Sequence, residues 1–251
     1  MNIVITGASS GIGRDMARVF SADEDNVIYA VARRADRLNE LSRDVNCRLV
    51  PLVHDLGNRE ECIALYDELA DKDIDIFINN AGFGLCGKFD ETPLERELDM
   101  IDTNIIAVHI LTKLFYSKFR AAGKGRILNV ASSAGFMMGP FLSTYYATKA
   151  YVLRLSEAVN REAVEDKSSV RVSVLCPGPV RTEFDTVADV KFSLSGLSSE
   201  YVARYAIKKL MKGKTLIVPG ISIKLLLFFA RLVPDKLLSK ITYHVQRKKT
   251  S

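Results

Sequence analysis

Tyr145 and Lys149 stand four residues apart in Tyr145-Tyr146-Ala147-Thr148-Lys149, a stretch whose pattern predicts a helix. Residues at i and i+4 share one helical face, so phenol and ammonium point the same way. A phenol titrates at about pH 10. A nearby ammonium favours the phenolate and lowers that value. Such a pair can give or take a proton near neutral pH. Tyr146 has Ala150 at the same offset and gains no such partner. Taken alone, a pair at this spacing is mostly ordinary helix surface.

A second stretch with chemical potential lies at the start of the chain. The apolar run Ile3-Val4-Ile5 leads into Thr6-Gly7-Ala8-Ser9-Ser10-Gly11-Ile12-Gly13, and a helical pattern follows. Glycines let a backbone turn tightly and approach a phosphate closely. The helix N-terminus then offers free N–H groups and a positive dipole end to a pyrophosphate. The next strand ends Val31-Ala32-Arg33-Arg34. In a dinucleotide fold an acid there binds the ribose 2′-hydroxyl, whereas an arginine accommodates a 2′-phosphate. Ala32 stands at the acid position, and Arg33 and Arg34 offer guanidinium forks that suit phosphate oxygens. The expectation is a preference for NADP(H), with NAD(H) left open by the nearby Asp36.

These residues need elements to hold them. Strands are expected at 2–5, 26–31, 48–53, 74–79, 126–131, 170–176 and 215–218. Helices are expected near 12–22, 36–44, 58–70, 94–121, 144–165 and 198–211. Continuous apolar strands alternating with helices imply a parallel sheet covered on both faces. The expected fold is therefore α/β, a doubly wound parallel sheet (Rossmann fold), as a single domain. Residues 1–220 form its catalytic part, and residues 221–251 are a basic amphipathic extension of the same domain.

Taken together, TGASSGIG (6–13), Asp55-Leu56, Asn79-Asn80-Ala81-Gly82, Asn104, Ser132, YxxxK (145–149) and Pro177-Gly178-Pro179-Val180-Arg181-Thr182 resemble the short-chain dehydrogenase/reductase family over roughly residues 2–220. Each motif is modest alone, and their order and spacing together are specific. The resemblance implies that Thr6, Gly7, Ser9, Ser10, Gly11, Ile12 and Gly13 form the cofactor turn, with Arg33 and Arg34 at the adenosine ribose. It implies that Asp55 and Leu56 contact adenine, that Asn79, Ala81 and Gly82 lie beside the cofactor, and that Pro177, Gly178, Val180 and Thr182 flank the nicotinamide. Asn104 would hold a water in a proton relay. Ser132, with Ser133 as an adjacent alternative, would hydrogen-bond the substrate oxygen. Tyr145 would exchange the proton, and Lys149 would bind the nicotinamide ribose and depress the Tyr145 pKa.

The implied activity is reversible hydride transfer between nicotinamide and a carbonyl or alcohol carbon. The alternative is a low-turnover NADP(H)-binding or sensing protein with the same fold. No metal is expected, since His54, His109 and His244 form no ligand pattern. In the resembled family, substrate choice comes mainly from the loop after Ser132 and the segment after Pro177-Gly178. Here Phe136, Met137, Met138, Phe141 and Phe192 would line an apolar pocket for an apolar carbonyl compound such as a lipid-derived ketone, a steroid-like molecule or a xenobiotic aldehyde. The family resemblance also implies a homodimer or homotetramer built on the helices at 94–121 and 144–165.

The chain has 251 residues, 48% hydrophobic and 26% charged, which excludes disorder. Four scattered cysteines, Cys47, Cys62, Cys86 and Cys176, suggest a reducing compartment. With no signal-peptide pattern before Ile3, the expected location is cytoplasmic, with membrane-peripheral placement left open. The net charge of +5 is unevenly placed: residues 201–251 hold 12 Lys/Arg against one acid, Asp235. No nucleic-acid surface is needed to explain that excess. The apolar run Leu225–Ala230 is too short to span a bilayer. The amphipathic stretches on either side of Pro234 fit a lid, a subunit contact or a membrane-surface element.

Overall fold

In the computed structural model, which describes residues 1–184 and 196–247, β1 (Asn2–Thr6) shows why the sheet is covered twice. Ile3 and Ile5 pack with Met16, Phe20 and Val202 on one side. Val4 joins Phe77, Leu111 and Phe115 on the other. Successive strand residues face opposite ways, so a continuous apolar run needs an apolar layer on each face.

The other long strands repeat this logic: β2 (Val27–Ala32), β3 (Arg48–Val53), β4 (Ile76–Asn79), β5 (Arg126–Val130) and β6 (Arg171–Leu175). Three short strands follow: β7 (Val180–Arg181) pairs with β8 (Leu197–Ser198), and β9 (Leu216–Ile217) lies beside β6 at the sheet edge. Seven strands lie in the order β3-β2-β1-β4-β5-β6-β9, and all pairings are parallel. The chain winds outward from β1 to β3, then returns to lay β4 on the other side of β1. That reversal opens a crevice at the C-terminal ends of β1 and β4, where a doubly wound sheet binds its ligand.

Helices α1 (Gly11–Phe20) and α2 (Ala35–Asp44) cover one face with α7 (Ser199–Met211). The other face carries α3 (Arg59–Glu68) and α5 (Val108–Ala122), and α6 (Ser143–Glu165) packs on β6. Local signals fix their ends. Asn58 caps α3 by accepting from the N–H groups of Glu60 and Glu61, and Gly123 ends α5 at φ +69°.

The expected strands and helices are present with shifted ends, apart from one correction. The helix expected over 94–121 is interrupted: α4 (Leu94–Ile101) passes into a π-helical turn over Asp102–Ala107 before α5 begins. Such widened turns shift the side-chain register locally, which apolar periodicity does not reveal. The extension forms α8 (Ile221–Ala230) and α9 (Asp235–Arg247), parted at Pro234. Among the described residues no helix is long and apolar enough to cross a membrane.

Candidate active site

The β1–α1 turn is built by close packing. Gly7 and Gly11 take φ +66° and +53°, a region that disfavours side chains. A Cβ on Gly13 would lie 2.4 Å from Asn80 Nδ2 and 2.5 Å from the Gly7 carbonyl oxygen. The Thr6 hydroxyl accepts from the Asn80 and Ala81 N–H groups at 2.8 and 3.0 Å, and Asn80 Nδ2 donates to the Thr6 carbonyl at 2.9 Å. The ends of β1 and β4 are therefore laced together. Thr6 and Gly13 sit behind the site wall, while Gly7, Ser9, Ser10, Gly11 and Ile12 form it. Ser10 does not cap α1 with its side chain, so that helix end presents its N–H groups without a side-chain acceptor.

The two arginines are exposed and already paired. Arg33 lies 3.7 Å from the Asp55 carboxylate. Arg34 donates to Ser9 Oγ at 3.1 Å and to Glu183 Oε2 at 3.2 Å. Asp55 and Leu56 border the same wall. Thr182 packs against Gly11, closing the distance between the glycine turn and the Pro177–Thr182 segment. Pro177, Gly178 and Val180 also line the wall.

Ser132, Tyr145 and Lys149 line that cavity too. Ser132 follows β5, and Tyr145 and Lys149 occupy successive turns at the start of α6. Lys149 is buried and donates to the Val130 carbonyl at 3.0 Å; its Nζ lies 5.8 Å from the centre of the Tyr145 ring. The π-helical turn delivers Asn104, fully buried, to the back of the site. Its Oδ1 accepts from the Phe83 N–H at 3.1 Å, and its Nδ2 donates to the Phe83 carbonyl at 2.9 Å and to Thr148 Oγ1 at 3.1 Å. A Cβ on Gly82 would stand 2.7 Å from Asn104 Oδ1 and 3.3 Å from Lys149 Nζ, so this glycine makes room for both.

Three expectations need correction. Asn79 does not face the cavity; its Nδ2 donates to the Val108 carbonyl at 3.1 Å, on the opposite face of the sheet from Asn80's contacts with β1. Asn80, the residue after β4, holds the glycine turn instead, since its Nδ2 donates to the Thr6 and Gly7 carbonyls. The Tyr145 phenol is not lowered: burial pushes it well above its ordinary value, only partly offset by a hydrogen bond from Ser132. Burial also lowers Lys149, to about 8. Desolvation penalises both charged forms and is the largest cause of each shift. The side chains expected at the substrate end do not all reach the cavity.

Of those, Met137 lines the cavity. Phe136 packs instead beneath Arg231, Met138 is exposed, and Phe141 lies tilted against Tyr243, ring centres 5.3 Å apart. Phe192 lies outside the described residues. The cavity, about 890 Å³, is completed by Leu142, Tyr146 and Phe184 and by the inner sides of α8 and α9. Ile223 presses on Gly178, and Gln246 donates to the Tyr146 hydroxyl while its Oε1 is buried with no partner among the described residues. The apolar spacing of Ile223, Leu226 and Ala230, then Leu238, Ile241 and Val245, is the sequence signal for this inner stripe.

A family model described as "short chain dehydrogenase" matches residues 1–190. The chain is 32% identical over 221 residues to ketoacyl reductase HetN of Nostoc sp., covering 85% of this chain and 76% of that protein. It is also similar to the solved structure of a short-chain dehydrogenase from Sphingobium yanoikuyae in complex with NADPH, at TM-score 0.81 and 29% identity over 88% of each chain. A Burkholderia phymatum short-chain dehydrogenase/reductase in complex with NAD shares the fold at TM-score 0.83 and 21% identity, over 92% of each chain.

Proposed function

The chain belongs to the short-chain dehydrogenase/reductase family, and from that premise we propose that it is an NADP(H)-dependent oxidoreductase acting on a carbonyl or alcohol carbon of an apolar small molecule. The observation that carries the reading is a single cavity holding the glycine turn, the arginine pair and the Ser132, Tyr145 and Lys149 side chains together. The nicotinamide cofactor, when bound, supplies or accepts the hydride.

The residues fit such a cofactor. The tight Gly7–Gly11 turn and the α1 N-terminus suit a pyrophosphate. Arg33 and Arg34 suit a ribose 2′-phosphate, and the NADPH-bound relative supports that choice. A 2′-phosphate would compete with Asp55 and Glu183 for the two guanidinium groups, a competition NAD(H) does not enter.

Tyr145 stays protonated through the neutral range because burial disfavours its phenolate. It therefore serves as a proton donor to a carbonyl oxygen in reduction. Ser132 donates a hydrogen bond to the same oxygen and orients it. Lys149, reached through the gap at Gly82, offers its N–H groups to the ribose hydroxyls and keeps positive charge near the phenol when protonated. Asn104 holds the Phe83 backbone and Thr148 in place around that gap. Met137, Phe184, Ile223 and Leu226 surround the remaining space with apolar surface, which favours a substrate of similar character. An NADPH-oxidation screen of aldehydes and ketones of graded size tests the proposal; turnover that rises with apolar bulk supports it, and absence of turnover across the panel opposes it.

A further inference from the structure

Helix α8 turns Leu227 into the protein core and leaves the opposite stripe uncovered. Ile221, Phe228, Phe229 and Leu232 are 78%, 60%, 59% and 68% exposed, and Leu225 lies among them. Spacings of four, three and four residues put Ile221, Leu225, Phe228 and Leu232 on one side of the helix. A contiguous apolar patch of this kind marks a surface that another apolar phase covers.

The rim of the patch is basic. Lys224, Arg231, Lys236 and Lys240 are exposed, and among the described residues none of them pairs with a carboxylate. Asp235 is the single acid in residues 201–251, against 12 Lys/Arg. A second copy docked on this patch would bring two basic rims together. An anionic surface matches both the stripe and its rim. With ten residues, α8 is about 15 Å long, half the hydrocarbon thickness, so it lies on a bilayer and does not cross it.

We propose that the outer face of α8, with the adjoining face of α9, docks this protein on an anionic lipid bilayer so that the mouth of the cavity opens toward the lipid. The mouth is placed by Leu226, Ile241 and Val245, each of which lines the cavity and is also exposed to solvent. The docking rests on the patch and rim alone. The delivery of an apolar carbonyl compound from the bilayer rests on the function proposed above.

The test is flotation of the full-length protein with vesicles of phosphatidylcholine alone or with about one third phosphatidylglycerol. The expected result is about tenfold more protein carried by the anionic vesicles, most of it released by about 0.5 M salt. Phe228→Glu with Phe229→Glu should abolish flotation, and Lys236→Glu with Lys240→Glu should weaken it severalfold; melting curves establish that each variant is folded. No flotation of the wild type, or equal flotation of all variants, overturns the docking. Self-association removed by the phenylalanine variant, without flotation, assigns the patch to a second copy and also overturns it. NADPH oxidation with a water-soluble ketone should be the same in wild type and the phenylalanine variant. A wild type that floats but oxidises no NADPH over the carbonyl panel defeats the redox reading and leaves the docking intact.

Discussion

Lys149 Nζ lies 5.8 Å from the centre of the Tyr145 ring and gives a hydrogen bond to the Val130 carbonyl at 3.0 Å. The two groups are neighbours, yet burial pushes both toward their neutral forms. The site is thus set to keep the phenol protonated and to make the ammonium titrate within reach of physiological pH. That arrangement has consequences for stability and for catalysis.

Lysine in an unfolded chain titrates at about 10.5, and in the fold Lys149 is lowered to about 8. Between those values the unfolded chain binds more protons, so stability rises with pH. The contribution is fully present above the unfolded value and is lost as pH falls through about 8. Urea unfolding of wild type and Lys149→Met should show the wild type gaining about 1–3 kcal/mol relative to the variant between about pH 8 and pH 10. A difference that does not change with pH would mean that Lys149 is not desolvated.

Gly82 holds open the space shared by Asn104 and Lys149. Gly82→Ala places a methyl group 2.7 Å from Asn104 Oδ1, so the amide and the ammonium must move. Turnover should fall about 100-fold while the melting temperature changes by only a few degrees, because loss of positioning costs rate before it costs fold. Steady-state kinetics beside a melting curve checks this. A variant with full activity would show that the gap is not needed.

Arg34 is held by Glu183 and Ser9 in the structure. Arg34→Ala should weaken NADPH binding about 10- to 100-fold, the value of a charge-assisted phosphate contact, with NADH affinity nearly unchanged. Glu183→Gln should strengthen NADPH binding about threefold by releasing the guanidinium. Fluorescence titration measures both. Equal losses for the two cofactors in Arg34→Ala would argue against a 2′-phosphate contact.

The sheet and its helices were legible because they depend on local patterns, and so was the shared helical face of Tyr145 and Lys149. Val4 and its neighbours form an unbroken apolar run, and Tyr145 and Lys149 are fixed by helical spacing. The π-helical turn at Asn104 was not legible, since apolar residues continue through it and only backbone hydrogen bonding distinguishes it. Asn79 and Asn80 are the same residue type at adjacent positions, and only their hydrogen bonds in the fold distinguish which one holds the turn. The direction of the Tyr145 and Lys149 shifts depends on burial by the whole fold, which spacing does not report. The pocket's outer wall comes from α8 and α9, distant in sequence from the loop after Ser132, so Phe136 and Phe141 were free to pack elsewhere.

The proposed mechanism stands on the Tyr145 phenol supplying the proton for carbonyl reduction in this cavity. The most direct measurement compares NADPH oxidation by wild type and Tyr145→Phe on the best ketone of the panel, with NADPH binding titrated in parallel. Tyr145→Phe should lose about 1000-fold in turnover while NADPH affinity stays within about threefold of wild type. A Tyr145→Phe variant that turns over at the wild-type rate would contradict the mechanism.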